Sequence, residues 1–294
     1  MKHYGKTRYA SHSLKAMRMP GFLLMVFILA SCNNAQVYEQ QAVEKTNPVP
    51  LPKSVGNIPL PNGYKRIAAS NGGYPSFLRS ISLKSDKTVY LFNGVKKGNQ
   101  QAQYAVIDMD AGQKDLQQCA DAVMRIRAEY LFSKKDFSHI SFNFTNGFAC
   151  DFEHYAQGYR VKTIGNTCTW VKQKPESYTY STFRQYLDVV YAYAGTQSLH
   201  QQLKSIPVTD IHPGAVFIQT RNPYGHAVTV MDMAYHPQTK DTIFLLSQSY
   251  MPAQDIHILV NPNNEKISPW YSTKFGDELR TPEWTFTKED LKEF

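Results

Sequence analysis

Four cysteines in 294 residues are too few to staple a scaffold, so this chain must be held by buried apolar surface, and its 42% hydrophobic content suffices for one large domain. Zinc lacks its usual spacing, because the histidines are scattered and no HExxH occurs. The alternating acids of "DMDAGQKD" also fail as a calcium loop. Counted from Asp108, Gly112 is fifth rather than sixth, and Cys119 stands where such a loop needs its glutamate. No metal or other cofactor is expected.

Acidic residues are missing from the first 31 positions, which carry Lys2, Lys6, Arg8, Lys15 and Arg18 before the apolar run "PGFLLMVFILA". A basic segment, a short apolar segment and small residues at the end describe an export signal over 1–31, too short for a confident membrane span. A start at Met17 would give a signal of more usual length. Leu29-Ala30-Ser31-Cys32 has the form of a lipobox, in which the Cys32 thiol takes a lipid and becomes the new N-terminus; in this the segment resembles the leaders of bacterial lipoproteins. Loss of the leader lowers the formal charge from +8 to +3, so the basic pI is no argument for nucleic acid as a partner. Residues 32–57, polar and then proline-rich, read as a tether from the membrane to a single domain over 58–294.

Within that domain the cysteines are Cys119, Cys150 and Cys168. Cys150 and Cys168 lie beside strand-like runs and are able to pair in an oxidising envelope, although other pairings or three free thiols are equally compatible with the sequence. Short strands are expected at "YKRIAAS", "SFLRSISL", "TVYLFNG" and "QYAVIDMD", and again around 139–144 and 158–164. A helix is expected from Asp115 as N-cap, with Gln118 completing a capping box and Cys119 in the first turn. On its wheel Leu116, Cys119, Ala120, Val123, Ile126 and Tyr130 share one arc, opposite Gln117, Asp121, Arg125 and Glu129. A second helix is expected at "STFRQYLDVVYAYAG", capped by Ser181 and ended by Gly195. After it, "HPGAVFIQT", "GHAVTVMDMA" and "DTIFLLSQS" read as an antiparallel meander, buried on both faces. Trp270 and Trp284 read as core or cleft-wall residues.

A nucleophilic cysteine needs a base, and the base needs a group that holds its tautomer. Cys119 at a helix start has unpaired N–H groups to favour a thiolate or an oxyanion. His226 opens a strand at the rim of the sheet. If the following turn centres near Pro237, facing residues have numbers that sum to 474, which sets Gln248 opposite His226. The Gln248 carbonyl would then accept the Nδ1 proton and leave Nε2 toward the thiol. A slip of one residue would bring Ser249 instead, on the wrong face. His257, near Asp255, is a rival base.

This order of parts resembles the papain-like clan in its bacterial NlpC-type cell-wall peptidase branch: a cysteine at a helix start, a "PG-x-V-F-I" strand, "GHA" opening the next, and a polar residue on the third. The resemblance covers about residues 115–250. It implies an α+β fold with a papain-like core, the Cys-bearing helix packed on an antiparallel sheet, with Cys119 as nucleophile, His226 as base and Gln248 as the orienting residue. Two departures are Ala215 where that branch has aspartate and a Cys-to-His separation of 107 residues, which requires an insertion. Through "PLPNGYKR", "DLQQCADAVMRIRAEYL", "YAGTQSL" and "TPEWTF", nearly the whole domain resembles an uncharacterised family of bacterial envelope lipoproteins.

The expected function is a cysteine peptidase or amidase, lipid-anchored in the cell envelope at the outer membrane, acting on a peptidoglycan stem or other envelope peptide. Two alternatives are a non-catalytic lipoprotein that binds a peptide or glycan in the same cleft, and a Cys-dependent acyltransferase.

Overall fold

The continuous apolar runs near residues 215–250 form the middle of the main sheet. In the computed structural model, which describes residues 51–294, the strands Val216–Gln219, His226–Tyr235 and Thr242–Gln248 pair antiparallel in that order. Every residue of the central strand except Tyr235 is buried. The meander therefore forms as its hydrophobic pattern predicts.

Distant segments extend it. Leu291–Glu293 adds beyond Val216–Gln219 and Lys204–Ser205 beyond that, while His257–Leu259 and then Gln103–Val106 add on the other side. With Lys65–Arg66 on the central strand and Tyr271–Ser272 on Thr242–Gln248, nine strands make one antiparallel sheet among the described residues.

Helices are fewer and mostly short: α1 (Tyr74–Ser80), α2 (Cys119–Ser133), α3 (Phe152–Ala156), α4 (Tyr180–Tyr193) and α5 (Thr196–Gln202). The expected α+β papain-like core, with its Cys-bearing helix laid on a sheet, is thus corrected to a mostly antiparallel β architecture. The reason lies partly in α2, whose wheel suggested one apolar face. Instead it is enclosed on several sides, sending Ala120, Val123 and Leu131 into a cluster with α3 and α4, and Ala122 and Ile126 into another with Met231 and Leu245 of the sheet. Even its charged side is closed: Arg125 is 2% exposed and bonds Glu129 and Gln117 at 2.6 and 2.8 Å.

Local chemistry explains the other differences. "SFLRSISL" is largely helix because Pro75 pre-sets the first turn of α1 and Arg79 sits in its last. The cap of α4 is Thr179, whose hydroxyl accepts from Thr182 N–H, rather than Ser181. The signal, Cys32 and the tether as far as residue 50 lie outside the described residues; beyond them Ser54 already bridges Ser82 and Val55 is buried. Cys119, Cys150 and Cys168 are free thiols. Among the described residues no helix is long and apolar enough to cross a membrane.

Within the central pair the register shifts by one. Leu245 faces Asp232 but Leu246 faces Val230, leaving Met231 as the extra residue of a bulge. Asp232 consequently shares a face with Met231 and meets two arginines: Arg66 Nε at 2.7 Å and Arg79 Nε at 2.6 Å. The same guanidinium groups donate to the carbonyls of Ile58 and Ile67, both at 2.6 Å. One fully buried carboxylate thereby ties the N-terminal segments to the sheet. Removing one partner of a buried pair strands the others without compensation, so Asp232→Ala should cost about 3–5 kcal/mol. The measurement is urea unfolding: a lower midpoint at unchanged slope is expected, whereas an unmoved midpoint would mean that water replaces the carboxylate.

Candidate functional site

Cys119 is the first residue of α2, and the cap is Gln118 rather than Asp115. The Asp121 carboxylate accepts the Gln118 N–H at 3.0 Å and starts the helix there. Asp115 is engaged elsewhere, accepting from Ala253 N–H at 2.7 Å and from the Gln118 amide at 3.0 Å. Cys119 thus heads the helix with the first-turn N–H groups around its sulfur.

That sulfur lies against the backbone on both sides of His226. The Gly225 carbonyl is 4.0 Å from Sγ, and the Ala227 N–H is directed at it. Glycine at 225 is a packing requirement, because a Cβ there would lie 2.3 Å from the Gln219 carbonyl oxygen. The "GHA" of the sequence therefore sets the backbone on either side of His226 against the thiol.

The His226 ring, expected at the rim of the sheet, is instead buried within it and does not line the cleft beside Cys119; its Nε2 is 2.8 Å from Gln248 Oε1. The pairing of His226 with Gln248 holds, but not by the expected opposition. Facing residues have numbers summing to 476 beyond the bulge, so Gln248 comes opposite Val228, a diagonal neighbour of His226 on the same face. The bulge at Met231 makes this possible. Without it the register would set Gln248 opposite Thr229, on the other face. Ser249 does point elsewhere, donating to the Gln117 carbonyl at 3.0 Å.

The tautomer is the reverse of the expected one. Gln248 Nε2 donates to Glu283 Oε2 at 2.7 Å, which turns its carbonyl to His226 and puts the imidazole proton on Nε2. Nδ1 is left as the basic nitrogen. Glu283 accepts from Lys97 Nζ at 2.6 Å and Asn99 Nδ2 at 3.0 Å. Burial alone would raise its carboxyl, but the bonds and charge of Lys97, with Asn99, prevail and hold it below the usual value. Glu283 is therefore an acceptor, and the amide must face it.

The rival base His257 has both nitrogens engaged, Nδ1 with the Asp255 carbonyl at 2.9 Å and Nε2 with the Gln248 amide at 3.3 Å. Asp255 itself binds Lys84 Nζ at 2.9 Å and Tyr90 N–H at 3.0 Å. This pair is part of the frame behind Gln248.

Desolvation dominates the electrostatics. Burial pushes the Cys119 thiol up to about 11, reinforced by Asp121 and partly offset by the N–H groups of Ala120, Ala227 and Cys119 itself. Burial likewise brings His226 down to about 4, against the opposing effects of Gln248 and Glu283. Near pH 7 both groups are therefore neutral, one a thiol and the other an imidazole. Three aromatic rings enclose the histidine, with centroids at 4.9 Å for Tyr250, 5.2 Å for Trp284 and 5.9 Å for Phe286. Trp284 is a wall of the site, whereas Trp270 is fully buried in the core with its indole N–H on the Pro59 carbonyl.

A cleft of about 820 Å³ opens beside Cys119, with Asp121, Tyr191, Tyr224, Gly225 and Met251 among its walls. Glu283, Lys97 and Tyr250 escape a reading of the sequence. Glu283 sits in the aromatic turn "TPEWTF", where an acid between proline and tryptophan is the one local signal; Lys97 and Tyr250 carry none.

The comparisons with known proteins concern the whole domain rather than this site. No curated protein matches the chain, and no solved structure matches it. A family model matches residues 56–293, and the chain accordingly belongs to the family described as Domain of unknown function (4846).

Proposed function

We propose that this chain is a cysteine amidase or peptidase, exported, lipid-anchored at Cys32 and directed at a cell-wall peptide such as a peptidoglycan stem. The observation that carries the reading is the Cys119 sulfur, at a cleft wall and in contact with the backbone flanking a histidine whose Nε2–H is fixed on Gln248. The anchor and envelope rest on the leader and its lipobox.

In this mechanism the substrate amide enters the cleft and Cys119 Sγ attacks its carbonyl carbon while the thiol proton passes to His226 Nδ1. The oxyanion lies toward the N–H groups of the first turn of α2. Collapse breaks the C–N bond, and the proton on Nδ1 goes to the leaving amine. A water molecule, giving its proton to Nδ1, then attacks the thioester and releases acid and free thiol. Gln248 and Glu283 act through the imidazole as positioning residues. They keep one tautomer throughout.

A second reading, a lipoprotein that binds a peptide in the same cleft without cleaving it, is favoured by the Cys119 thiol itself. At about 11 it stays protonated unless a base withdraws the proton.

Two measurements separate these. With iodoacetamide, which reacts with thiolate, alkylation of Cys119 should climb with pH toward about 11; a midpoint at the ordinary value of about 8.5 would mean a hydrated, unperturbed thiol. Mass analysis of a peptidoglycan digest should show amide cleavage that disappears in Cys119→Ala, falls by about 10²–10⁴ in His226→Ala, and falls by roughly tenfold in Gln248→Ala or Glu283→Gln. Because His226 must be unprotonated to act as base, kcat/KM should be flat across neutral pH and be lost as pH falls through about 4. Binding of stem peptide with no cleavage at any pH would favour the second reading.

A further inference from the structure

Two polar atoms in the cleft lack partners. Asp121 is 5% exposed; its Oδ2 caps α2 through Gln118 N–H, but its Oδ1 is buried and accepts nothing. Tyr191, on α4, is 6% exposed and its buried hydroxyl bonds nothing. Both line the cleft that holds Cys119. A buried acceptor without a donor costs free energy comparable to a lost hydrogen bond or more, so two on residues that line one cavity describe a place for a donor.

The charge of that donor follows from what surrounds it. Asp121 has no basic partner in the structure, and the basic side chains on the cleft are His200 and Arg221, the latter 5.7 Å from the Trp284 ring; the buried Arg125, whose charge reaches Tyr191, is held by Glu129 and Gln117. His200 is lowered by burial and by Lys292, which disfavours a positive charge on it. Burial raises the Asp121 carboxyl well above the ordinary range, the state of an acid awaiting a counter-charge. An arriving ammonium would donate to Oδ1 and to the tyrosine oxygen and favour the carboxylate, the carboxyl proton passing to solvent.

We propose that Asp121 and Tyr191 form a subsite for an ammonium group of the ligand. The cleft would then select peptides that carry a free amino group close to the bond presented to Cys119, over the same peptides with that amine blocked. This rests on the proposed use of the cleft by a peptide, and deepens it by naming the feature recognised.

The test reads the subsite through Cys119 without requiring turnover. The intact chain is treated with methanethiosulfonates bearing 2-aminoethyl, 2-hydroxyethyl or 2-trimethylammonioethyl groups, and modification of Cys119 is followed by peptide mass. Each rate is divided by that reagent's rate with a free small thiol, which removes intrinsic reactivity. Taking ratios between reagents also cancels any change in the Cys119 thiolate fraction.

The aminoethyl reagent should outpace the hydroxyethyl one by about tenfold, as expected for a charge-assisted hydrogen bond, and the trimethylammonio reagent, which has no N–H, should not share the advantage. Asp121→Asn, which keeps an acceptor for the Gln118 N–H, should bring the ratio close to one. Tyr191→Phe removes a hydroxyl that bonds nothing in the fold, and should lower the ratio even if the first variant folds poorly. A ratio unchanged in both variants would overturn the subsite, as would equal preference for the trimethylammonio reagent. Absence of hydrolysis with the ratio intact would sink the amidase reading and leave the subsite standing.

Discussion

Between Leu245 and Leu246 the two central strands slip by one residue, and that slip decides which side chains meet on each face of the sheet. The bulged residue Met231 joins the cluster under α1 and α2, and Asp232 follows it to the same side to receive Arg66 and Arg79. On the opposite face His226 and Gln248 become diagonal neighbours. Period-two alternation allows no intermediate outcome, since one residue more or less reverses every side chain beyond it. The bulge thus links the clamp that holds the N-terminal segments to the pair that orients the imidazole.

Behind that pair stands a chain of buried polar groups in which each member restricts the next. Lys97 holds Glu283 as an acceptor, Glu283 turns the Gln248 amide, Gln248 places the proton of His226, and His257 closes the far side. Such a network is costly to bury half-satisfied, and here its members are paired. Asp121 and Tyr191 are the contrast. In the same molecule two polar atoms of cleft-lining residues remain unpaired, and the proposed ammonium subsite rests on them.

Several parts of this arrangement are legible along the chain because their causes are local. The meander follows from three continuous apolar runs separated by turn residues, α4 from its periodic face, and the position of Cys119 in a first helical turn from the polar residues around it. Met231 carries no local mark, and nor do the short strands that widen the sheet, such as Leu291–Glu293 beside Val216–Gln219. A two- or three-residue strand is stabilised by its neighbours and not by its own composition. The papain-like expectation came from the order of motifs, and order alone says nothing about how much sheet surrounds them or how deeply a helix with a charged face is enclosed.

By itself the sequence determined that a cysteine would lie in the first turn of a helix, that a histidine would open the middle strand of a meander, and that a glutamine on the next strand would lie within reach of it, because each depends on residue spacing within one element or one hairpin. The tertiary structure alone decided which imidazole nitrogen carries the proton, which acid stands behind the glutamine and which two polar groups of the cleft-lining residues go without partners. Those depend on partners that lie far apart in the chain and on a one-residue register shift, and such contacts exist only once the strands have paired.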